Sequence, residues 1–206
     1  MRRIWECDRF LDSHDMIKEN AVPQVWGDLP GIVPEISHKM RLKKDFMTIL
    51  VFSDSHSSLG FMRRCMETVH PDGVIHLGDY FDDGEVIREE NSGIPFYQVP
   101  GNCDRYRCPP GQPEILIDRI FGVDFYLTHG HKHHVKLGIG ALLQSARTAK
   151  VQAVLYGHTH VADCHKEDDG LWVLNPGSCG YGGSAGIVEI RNGVITDCRL
   201  IKDSDL

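Results

Sequence analysis

The sequence predicts an α/β fold in which two β-sheets form a sandwich and helices flank its outer faces. Between residues 47 and 160, short apolar runs typical of buried strands alternate with segments of helical periodicity. From residue 161 onward the chain reads as strands alone. A chain that alternates the two element types and then ends in strands suits a two-sheet sandwich with helices packed outside.

The first part of this region supplies the alternating elements. The run MTILVFSD, residues 47–54, is almost continuously apolar, which is typical of a central strand covered on both faces. Residues 57–70 carry apolar side chains at helical spacing and predict a helix. The elements predicted after it are strand 73–79, a short helix over 84–93, strands 94–102, 114–120 and 123–130, a helix over 138–150, and strand 153–160.

The last part of the chain predicts strands only. Residues 161–168 and 171–178 each form one strand segment, and residues 186–201 form a hairpin. The Asn192–Gly193 pair lies between two alternating runs and predicts a type I′ turn.

Residues 1–46 differ from the rest and are predicted to be an N-terminal extension to a domain that spans 47–206. The extension mixes prolines, charges and two tryptophans without a sustained period, so we expect it to be peripheral or poorly ordered. One short helix is predicted over Phe10–Ile17.

Two alternatives for this extension stay open. One is that the natural start of the protein lies at Met40 or Met47. The other is that the extension is an arm that docks a partner through Trp5 and Trp26.

The composition is that of a soluble globular protein, and it limits the expected partners. Of the 206 residues, 41% are hydrophobic and 25% are charged, with a formal net charge of -7. No duplex nucleic acid is expected as a partner, because duplex binding normally depends on clustered Lys and Arg. No membrane is expected either, since no run approaches the ~20 apolar residues of a membrane span. The seven cysteines form no CxxC pair, which favours free thiols and a cytoplasmic location.

Seven oxygen or nitrogen donors follow the ends of predicted strands. They are Asp54, His56, Asp79, Asn102, His129, His158 and His160. Each alone has a simpler interpretation as a helix cap, a turn residue or a solvated loop residue. Together, at the edge where α/β sheets bind ligands, they favour a metal site. Seven ligands are too many for one ion but suit two ions that share a carboxylate, and this donor mix suits Mn2+, Fe2+ or Zn2+.

The motifs that carry these donors read, in chain order, SDSH, GD, GNCD, THGH, GHTH and NPGS. In this order they resemble the calcineurin-like metallophosphoesterase superfamily, and most closely its small YfcE-type phosphodiesterases, over residues 47–203. The resemblance implies four layers in the order αββα and two divalent metal ions, with Mn2+ expected ahead of Zn2+, Fe2+, Ni2+ or Co2+. It assigns the first ion to Asp54, His56, Asp79 and His160. It assigns the second to Asp79, Asn102, His129 and His158, so that Asp79 bridges the two.

The implied chemistry is hydrolysis of a small phosphodiester by a hydroxide that bridges the two ions. Catalytic roles are expected for Asn102, Cys103, Asp104 and His131. Many relatives carry GNHD where this chain reads GNCD, so Cys103 replaces a histidine acid and Asp104 loses its usual partner. A thiol with a pKa near ~8.5 is a poorer proton donor than imidazolium. We therefore expect a bias toward substrates with good leaving groups.

The remaining histidines of the HGHKHH stretch are interpreted more simply. His131 is predicted either as a substitute proton donor or phosphate contact, or equally as a solvated loop residue. His133 and His134 are predicted to be solvated.

Two other functions stay open alongside the phosphodiesterase, and a homo-oligomer is possible for each. One is a scaffold on the same fold, as in the phosphoesterase-like subunit of retromer. In that case the ligand set would be eroded, whereas here it is complete. The other is a phosphomonoesterase with the same metal chemistry. Asp82 and Asp83 are expected near the site, where they would repel a dianionic monoester more than a diester.

Overall fold

The computed structural model describes residues 46–206, so the predicted helix Phe10–Ile17 and the tryptophans Trp5 and Trp26 lie outside the described residues. The strands are β1 (Phe46–Phe52), β2 (Gly73–His76), β3 (Phe96–Gln98), β4 (Ile115–Ile120), β5 (Val123–Thr128), β6 (Ala153–Leu155), β7 (Asp163–Lys166), β8 (Trp172–Asn175), β9 (Ser184–Arg191) and β10 (Val194–Lys202). The helices are α1 (Leu59–Val69), α2 (Phe81–Glu90), α3 (Gly140–Ala149) and the single turn α4 (Cys179–Gly182). Short 3-10 turns cover 131–133, 135–137 and 203–205.

The strands form two mixed five-stranded sheets. The first has the order β10-β9-β1-β2-β3 and the second the order β4-β5-β6-β8-β7. In each sheet three consecutive strands are parallel, β1-β2-β3 in the first and β5-β6-β8 in the second. The remaining neighbours pair antiparallel. The predicted α/β sandwich with flanking helices is confirmed.

The main core lies between the two sheets. Val51 and Ile75 of the first sheet share one buried cluster with Phe125 and Leu155 of the second. The opposite faces are covered by helices, so that Met62 of α1 packs on the first sheet in a second cluster. A third cluster joins α3 to the outer face of the second sheet. The central strands read as continuous apolar runs because both of their faces are covered.

The observed elements depart from the predicted ones where the chain turns into the site. Helix α2 begins at Phe81 instead of residue 84, because its first amides are capped by Asp104, a residue distant in sequence. The predicted strands that run to residues 79, 102 and 160 end earlier, at His76, Gln98 and Leu155. Helix α4 was not predicted.

The C-terminal hairpin follows the predicted turn. Asn192 and Gly193 both have positive φ, 52° and 76°, as a type I′ turn requires. Within the described part of the chain, no helix is long and apolar enough to cross a membrane.

Candidate metal centre

The structure brings all seven predicted ligands together at one edge of the sandwich. Asp54 and His56 follow β1, Asp79 follows β2, Asn102 follows β3, His129 follows β5, and His158 and His160 follow β6. Two groups of donor atoms form, and within each group all the donor atoms lie within 4.8 Å of one another. One group contains Asp54, His56 and His160, and the other contains Asp54, Asp79 and His129. The strands therefore deliver the ligand atoms to two adjoining points.

The first group contains polar atoms that lack hydrogen-bond partners. Asp54 Oδ1 lies 3.0 Å from His160 Nε2, and it is buried without a hydrogen bond. His56 Nε2 is buried and equally unpaired. Because a buried polar atom without a partner is costly, and these two approach a shared point, a cation fits the first group.

The second group is built around the ring of His129, which is fully buried. Its Nδ1 lies 2.8 Å from the carbonyl oxygen of Leu77, which can only accept, so the proton belongs on Nδ1. The lone pair of Nε2 then faces Asn102 Oδ1 at 3.1 Å, His158 Nδ1 at 3.2 Å and Asp79 Oδ1 at 3.5 Å. Oxygen and nitrogen lone pairs that converge on one point fit a divalent cation.

The ligand loops use backbone conformations that side chains rarely adopt. Positive φ angles occur at Asp54 (51°), His56 (44°), Asp79 (58°), His158 (70°) and His160 (60°). Strain of about 1–3 kcal/mol per residue is typical of such conformations, and they cluster at functional sites.

Glycines let these loops approach each other closely. A Cβ at Gly101 would lie 2.2 Å from Asp79 Oδ1, and one at Gly157 would lie 1.9 Å from Ser53 Oγ. Both distances are shorter than atoms can approach, so a side chain at either glycine would displace a ligand loop.

Two carboxylates, Asp54 and Asp79, are candidates for the ligand shared between the ions. The bridging role predicted for Asp79 stays a prediction, since its Oδ1 contacts the ring of His129 and accepts from the Cys103 amide. Asp54 belongs to both groups of donor atoms, with Oδ1 3.0 Å from His160 and 4.0 Å from His129. Asp54 is therefore a second candidate for a shared ligand.

Comparison with known proteins identifies the family. The calcineurin-like phosphoesterase superfamily domain matches residues 47–193. The chain belongs to this superfamily. This confirms the resemblance seen in the motifs, and it makes the protein a metal-dependent hydrolase of the phosphoesterase type.

The relatives of this phosphoesterase agree with that assignment. Phosphodiesterase MJ0936 of Methanocaldococcus jannaschii is 31% identical over 150 residues, which cover 66% of this chain and 86% of the relative. A solved structure of a conserved uncharacterized protein from Streptococcus pneumoniae TIGR4, described as a predicted phosphoesterase, is 26% identical with a TM-score of 0.62, over 76% of this chain and 90% of the other. Vacuolar Protein Sorting 29 of Cryptosporidium parvum is 17% identical with a TM-score of 0.59, over 77% of this chain and 99% of the other, which shows a shared fold.

Asp104, predicted to be catalytic, is fully buried beneath the ligand loops of the phosphoesterase. Its Oδ2 accepts from the amides of Asp79 (2.8 Å) and Gly101 (2.7 Å), and its Oδ1 accepts from those of Tyr80 (2.7 Å) and Phe81 (2.9 Å). The carboxylate thus joins the GD turn to the GNCD turn. It holds the backbone that presents Asp79.

Asp79 and Cys103 influence each other directly. Burial raises the pKa of Asp79, but the electrostatic interaction with His129 and the hydrogen bond from the backbone amide of Cys103 outweigh it and leave that pKa below its ordinary value. Burial, and then the hydrogen bond to Asp79, raise the pKa of the Cys103 thiol to about 11. Both effects make the Cys103 thiol a weaker acid than an ordinary cysteine.

The sequence leaves two alternatives for His131 and predicts a solvated His133, and the structure places both side chains. The ring of His131 lies 5.5 Å from that of His129, its Nδ1 is buried without a hydrogen bond, and burial lowers its pKa. His133 is partly buried and its Nε2 lies 3.0 Å from the hydroxyl of Tyr126, so the prediction of a solvated residue is wrong there. His134 is exposed, as predicted.

The two acids expected near the site, Asp82 and Asp83, do not line the cavity over the ligands. Asp83 is buried, and its carboxylate accepts from the Ser55 hydroxyl (2.7 Å) and the Ser57 amide (2.8 Å). Asp82 is exposed and pairs with Arg107 at 2.7 Å. Both carboxylates have partners in the protein, and their expected repulsion of a dianionic monoester stays a prediction.

A cavity of about 330 Å³ opens onto the ligands, and two of its lining residues were missed by the sequence analysis. Lys136 supplies its basic side chain. Tyr181 of α4 stacks on the His160 ring, with centroids 5.3 Å apart and planes 15° apart. Its ring lies 4.8 Å from that of His56, yet the residue is 72% exposed. The remaining lining residues are His56, Asp79, Asn102, Cys103, His158 and His160.

Proposed function

We propose that this phosphoesterase hydrolyses small phosphodiesters with the help of two divalent cations. The observation that carries the proposal is the pair of adjoining donor groups, one around His56 and His160 and the other around His129. Asp54 lies close to both groups, and Asp79 is the proposed shared ligand. One ion for each group accounts for the unpaired buried atoms of the first and the converging lone pairs of the second. The proposed ligands are Asp54, His56, Asp79 and His160 for one ion, and Asp79, Asn102, His129 and His158 for the other.

The donor types support a particular kind of cation. The ligands are carboxylates, one side-chain amide and imidazoles, without a thiolate, and we propose Mn2+ as the native ion. When bound, such ions lower the pKa of a coordinated water and offset the negative charge of a phosphate group. Asp104 positions the ligand loops by accepting hydrogen bonds from four backbone amides. The Leu77 carbonyl orients the ring of His129.

The side chains that line the cavity support a substrate with a good leaving group. Cys103 lines the cavity, and its thiol is a weak acid because its pKa is raised to about 11. So weak an acid gives a departing alkoxide little help, whereas a phenolate or another stabilised group needs none. His131 lies beside the ring of His129 and outside the cavity lining, and the donor role predicted for it stays a prediction.

Lys136 and Tyr181 support the proposal that the substrate is a monoanionic phosphodiester that carries a flat substituent. The ammonium group of Lys136 offers a single positive charge beside the ligands, which suits the single negative charge of a phosphodiester. One face of Tyr181 packs on His160, and its high exposure leaves the ring open to stack with a base or another aromatic group.

The amino-acid composition supports the proposed type of substrate and the proposed location in the cell. A net charge of -7 supports a small-molecule substrate over duplex nucleic acid. The free cysteines in the described part of the chain support a reducing location such as the cytoplasm.

The test is an activity assay on bis(4-nitrophenyl) phosphate and 4-nitrophenyl phosphate with each divalent metal in turn. We expect metal-dependent turnover of the diester ahead of the monoester, two ions per chain in the loaded protein, and loss of turnover in Asp54→Asn and Asp79→Asn. The matched control is Asp82→Asn, which removes an acid that pairs with Arg107 outside the cavity. Faster turnover of the monoester would favour a phosphomonoesterase. Bound metal without turnover of either ester would favour a scaffold.

A further inference from the structure

Two cysteines from the edge strands of the two sheets meet outside the cavity that the predicted metal ligands line. Cys164 lies on β7, the last strand of the second sheet, and Cys198 lies on β10, the first strand of the first sheet. Their Sγ atoms are 2.9 Å apart. The contact spans two sheets that share no backbone hydrogen bonds at these strands.

The strand registers explain why both sulfurs point inward. Cys164 is the partner of Leu174 on β8, and Cys198 is the partner of Val188 on β9. Side chains that are partners in a sheet lie on the same face. Leu174 and Val188 belong to the core between the sheets, and both cysteines pack against that core.

The surroundings leave the pair accessible to a small reagent. Cys164 and Cys198 are both partly exposed, in contrast to the buried thiols of Cys65 and Cys179. The contact with the Cys198 sulfur lowers the pKa of the Cys164 thiol from its ordinary value. A disulfide has an S–S bond of about 2.05 Å, so the sulfurs need to approach by only about 0.9 Å from their separation of 2.9 Å.

We propose that Cys164 and Cys198 form a reversible disulfide that joins the edges of the two sheets when the protein meets a peroxide. The thiolate of one cysteine attacks a peroxide oxygen, the O–O bond breaks, and a sulfenic acid and one water form. The second thiol then attacks that sulfur, the S–OH bond breaks, and a second water leaves as the S–S bond forms. The two thiols lose two electrons and two hydrogens, hydrogen peroxide is reduced to two waters, and a dithiol reverses the bond.

The bond would close a loop that contains part of the candidate site. Residues 165–197 lie between the two cysteines, and this segment includes Ser178 and Tyr181. The Ser178 hydroxyl donates to the carbonyl oxygen of Asp54 at 2.8 Å, and Tyr181 packs on His160. Oxidation therefore constrains the segment that supports Asp54, and it should stabilise the folded protein by restricting the unfolded chain.

The test is oxidation of the full-length, folded protein with hydrogen peroxide, followed by blocking of free thiols and peptide mass mapping without reductant. We expect a linked peptide containing Cys164 and Cys198, lighter by two hydrogens, that disappears on treatment with dithiothreitol. We also expect the oxidised protein to melt several degrees above the reduced one. This shift should vanish in both Cys164→Ser and Cys198→Ser and persist in Cys103→Ser, whose thiol lines the metal-site cavity.

Three results would overturn the proposal. One is blocking of both thiols in the folded, peroxide-treated wild type. Another is a linked peptide that forms only in denaturant. The third is a peroxide-induced melting shift that survives in Cys164→Ser and is lost in Cys103→Ser. The mapping uses the wild-type chain, so it decides the question even if a serine variant fails to fold.

Discussion

Asp104 accepts a hydrogen bond from the backbone amide of Asp79 through Oδ2 at a distance of 2.8 Å. The two residues are 25 positions apart in sequence, and the contact fixes the turn that presents Asp79 to the ring of His129. The same carboxylate accepts the amide of Gly101, so one buried charge organises two ligand loops.

Asp104→Asn is expected to weaken both metal binding and stability. An amide offers one acceptor oxygen where the carboxylate offers two, so at least one pair of backbone amides loses its partner. At about 1–3 kcal/mol for each unsatisfied group, we expect a loss of about 3 kcal/mol in the free energy of unfolding, with metal affinity reduced about tenfold or more. Urea unfolding and metal titration measure the two effects. Asp82→Asn should change neither, and an Asp104→Asn protein that matches wild type in both would show that the four amides need no carboxylate.

Cys103→His is expected to extend activity to poor leaving groups. The thiol is a weak acid, because its pKa is raised to about 11, whereas an imidazolium is a much stronger proton donor. We expect kcat/KM for an alkyl phosphodiester to rise about 10–100-fold and that for a nitrophenyl diester to change little. A series of diesters with leaving groups of increasing pKa measures this. Cys108→His, on the same loop but outside the cavity lining, serves as the control. An equal rise with every leaving group would argue against acid assistance.

Lys136→Gln is expected to raise KM for a phosphodiester about 3–10-fold at low salt while kcat changes little. The reason is that Lys136 attracts the anionic substrate from the rim of the cavity. The difference between wild type and variant should shrink as salt increases, because exposed charges are screened. Lys132→Gln removes a lysine that pairs with Glu114 at 3.2 Å and should leave KM unchanged. A salt-independent effect would indicate that Lys136 acts through packing instead of charge.

Tyr181→Ala is expected to raise KM for an aromatic diester by about 5–10-fold, while Tyr181→Phe keeps the wild-type value. The ring, more than the hydroxyl, is the part that stacks on His160 and faces the cavity. Comparison with dimethyl phosphate, which has no ring to stack, separates substrate stacking from support of His160. Tyr106→Ala, at a tyrosine that is 91% exposed and outside the cavity lining, controls for general loss of surface aromatics.

His76 is expected to make the folded protein sensitive to mild acid. The residue is fully buried beside Ser55, and burial lowers its pKa from 6.5 to about 4. Between these values the unfolded chain binds the proton and the folded chain does not, so stability falls as the pH decreases through that window. The full difference is about 3 kcal/mol, complete near pH 4 and absent above pH 6.5. Urea unfolding from pH 7 to pH 4.5 should give a flatter dependence for His76→Gln than for wild type. Parallel curves would show that other groups dominate.

The ligand positions could be predicted because each follows an apolar run that the sequence makes visible. Asp54 and Asp79 come at the mouths of β1 and β2, and the parallel arrangement of those strands delivers both to one edge. The predicted strands that correspond to β2 and β6 extend too far, because the prediction includes the motif residues in each strand. In the structure the chain already leaves extended geometry before the ligands.

The residues that were missed act through contacts that no local pattern encodes. Lys136 and Tyr181 reach the cavity from a 3-10 turn and a single helical turn, neither of which has a readable period. Asp104 caps α2 from a distant loop, so neither its role nor the first residue of α2 follows from neighbouring residues. Asp83 could not be distinguished from a solvated acid, because its partners Ser55 and Ser57 come from another loop.

The left-handed backbone at five of the ligands restricts which side chains the site can use. Outside glycine, that conformation is uncommon and is enriched in Asp, Asn and His, and the five positions here hold only Asp and His. These same residue types also donate oxygen or nitrogen to divalent ions. A glutamate at position 54 would preserve the charge and still disfavour the turn. The repertoire of substitutions open to this site is therefore narrowed by the main chain before coordination chemistry makes its own selection.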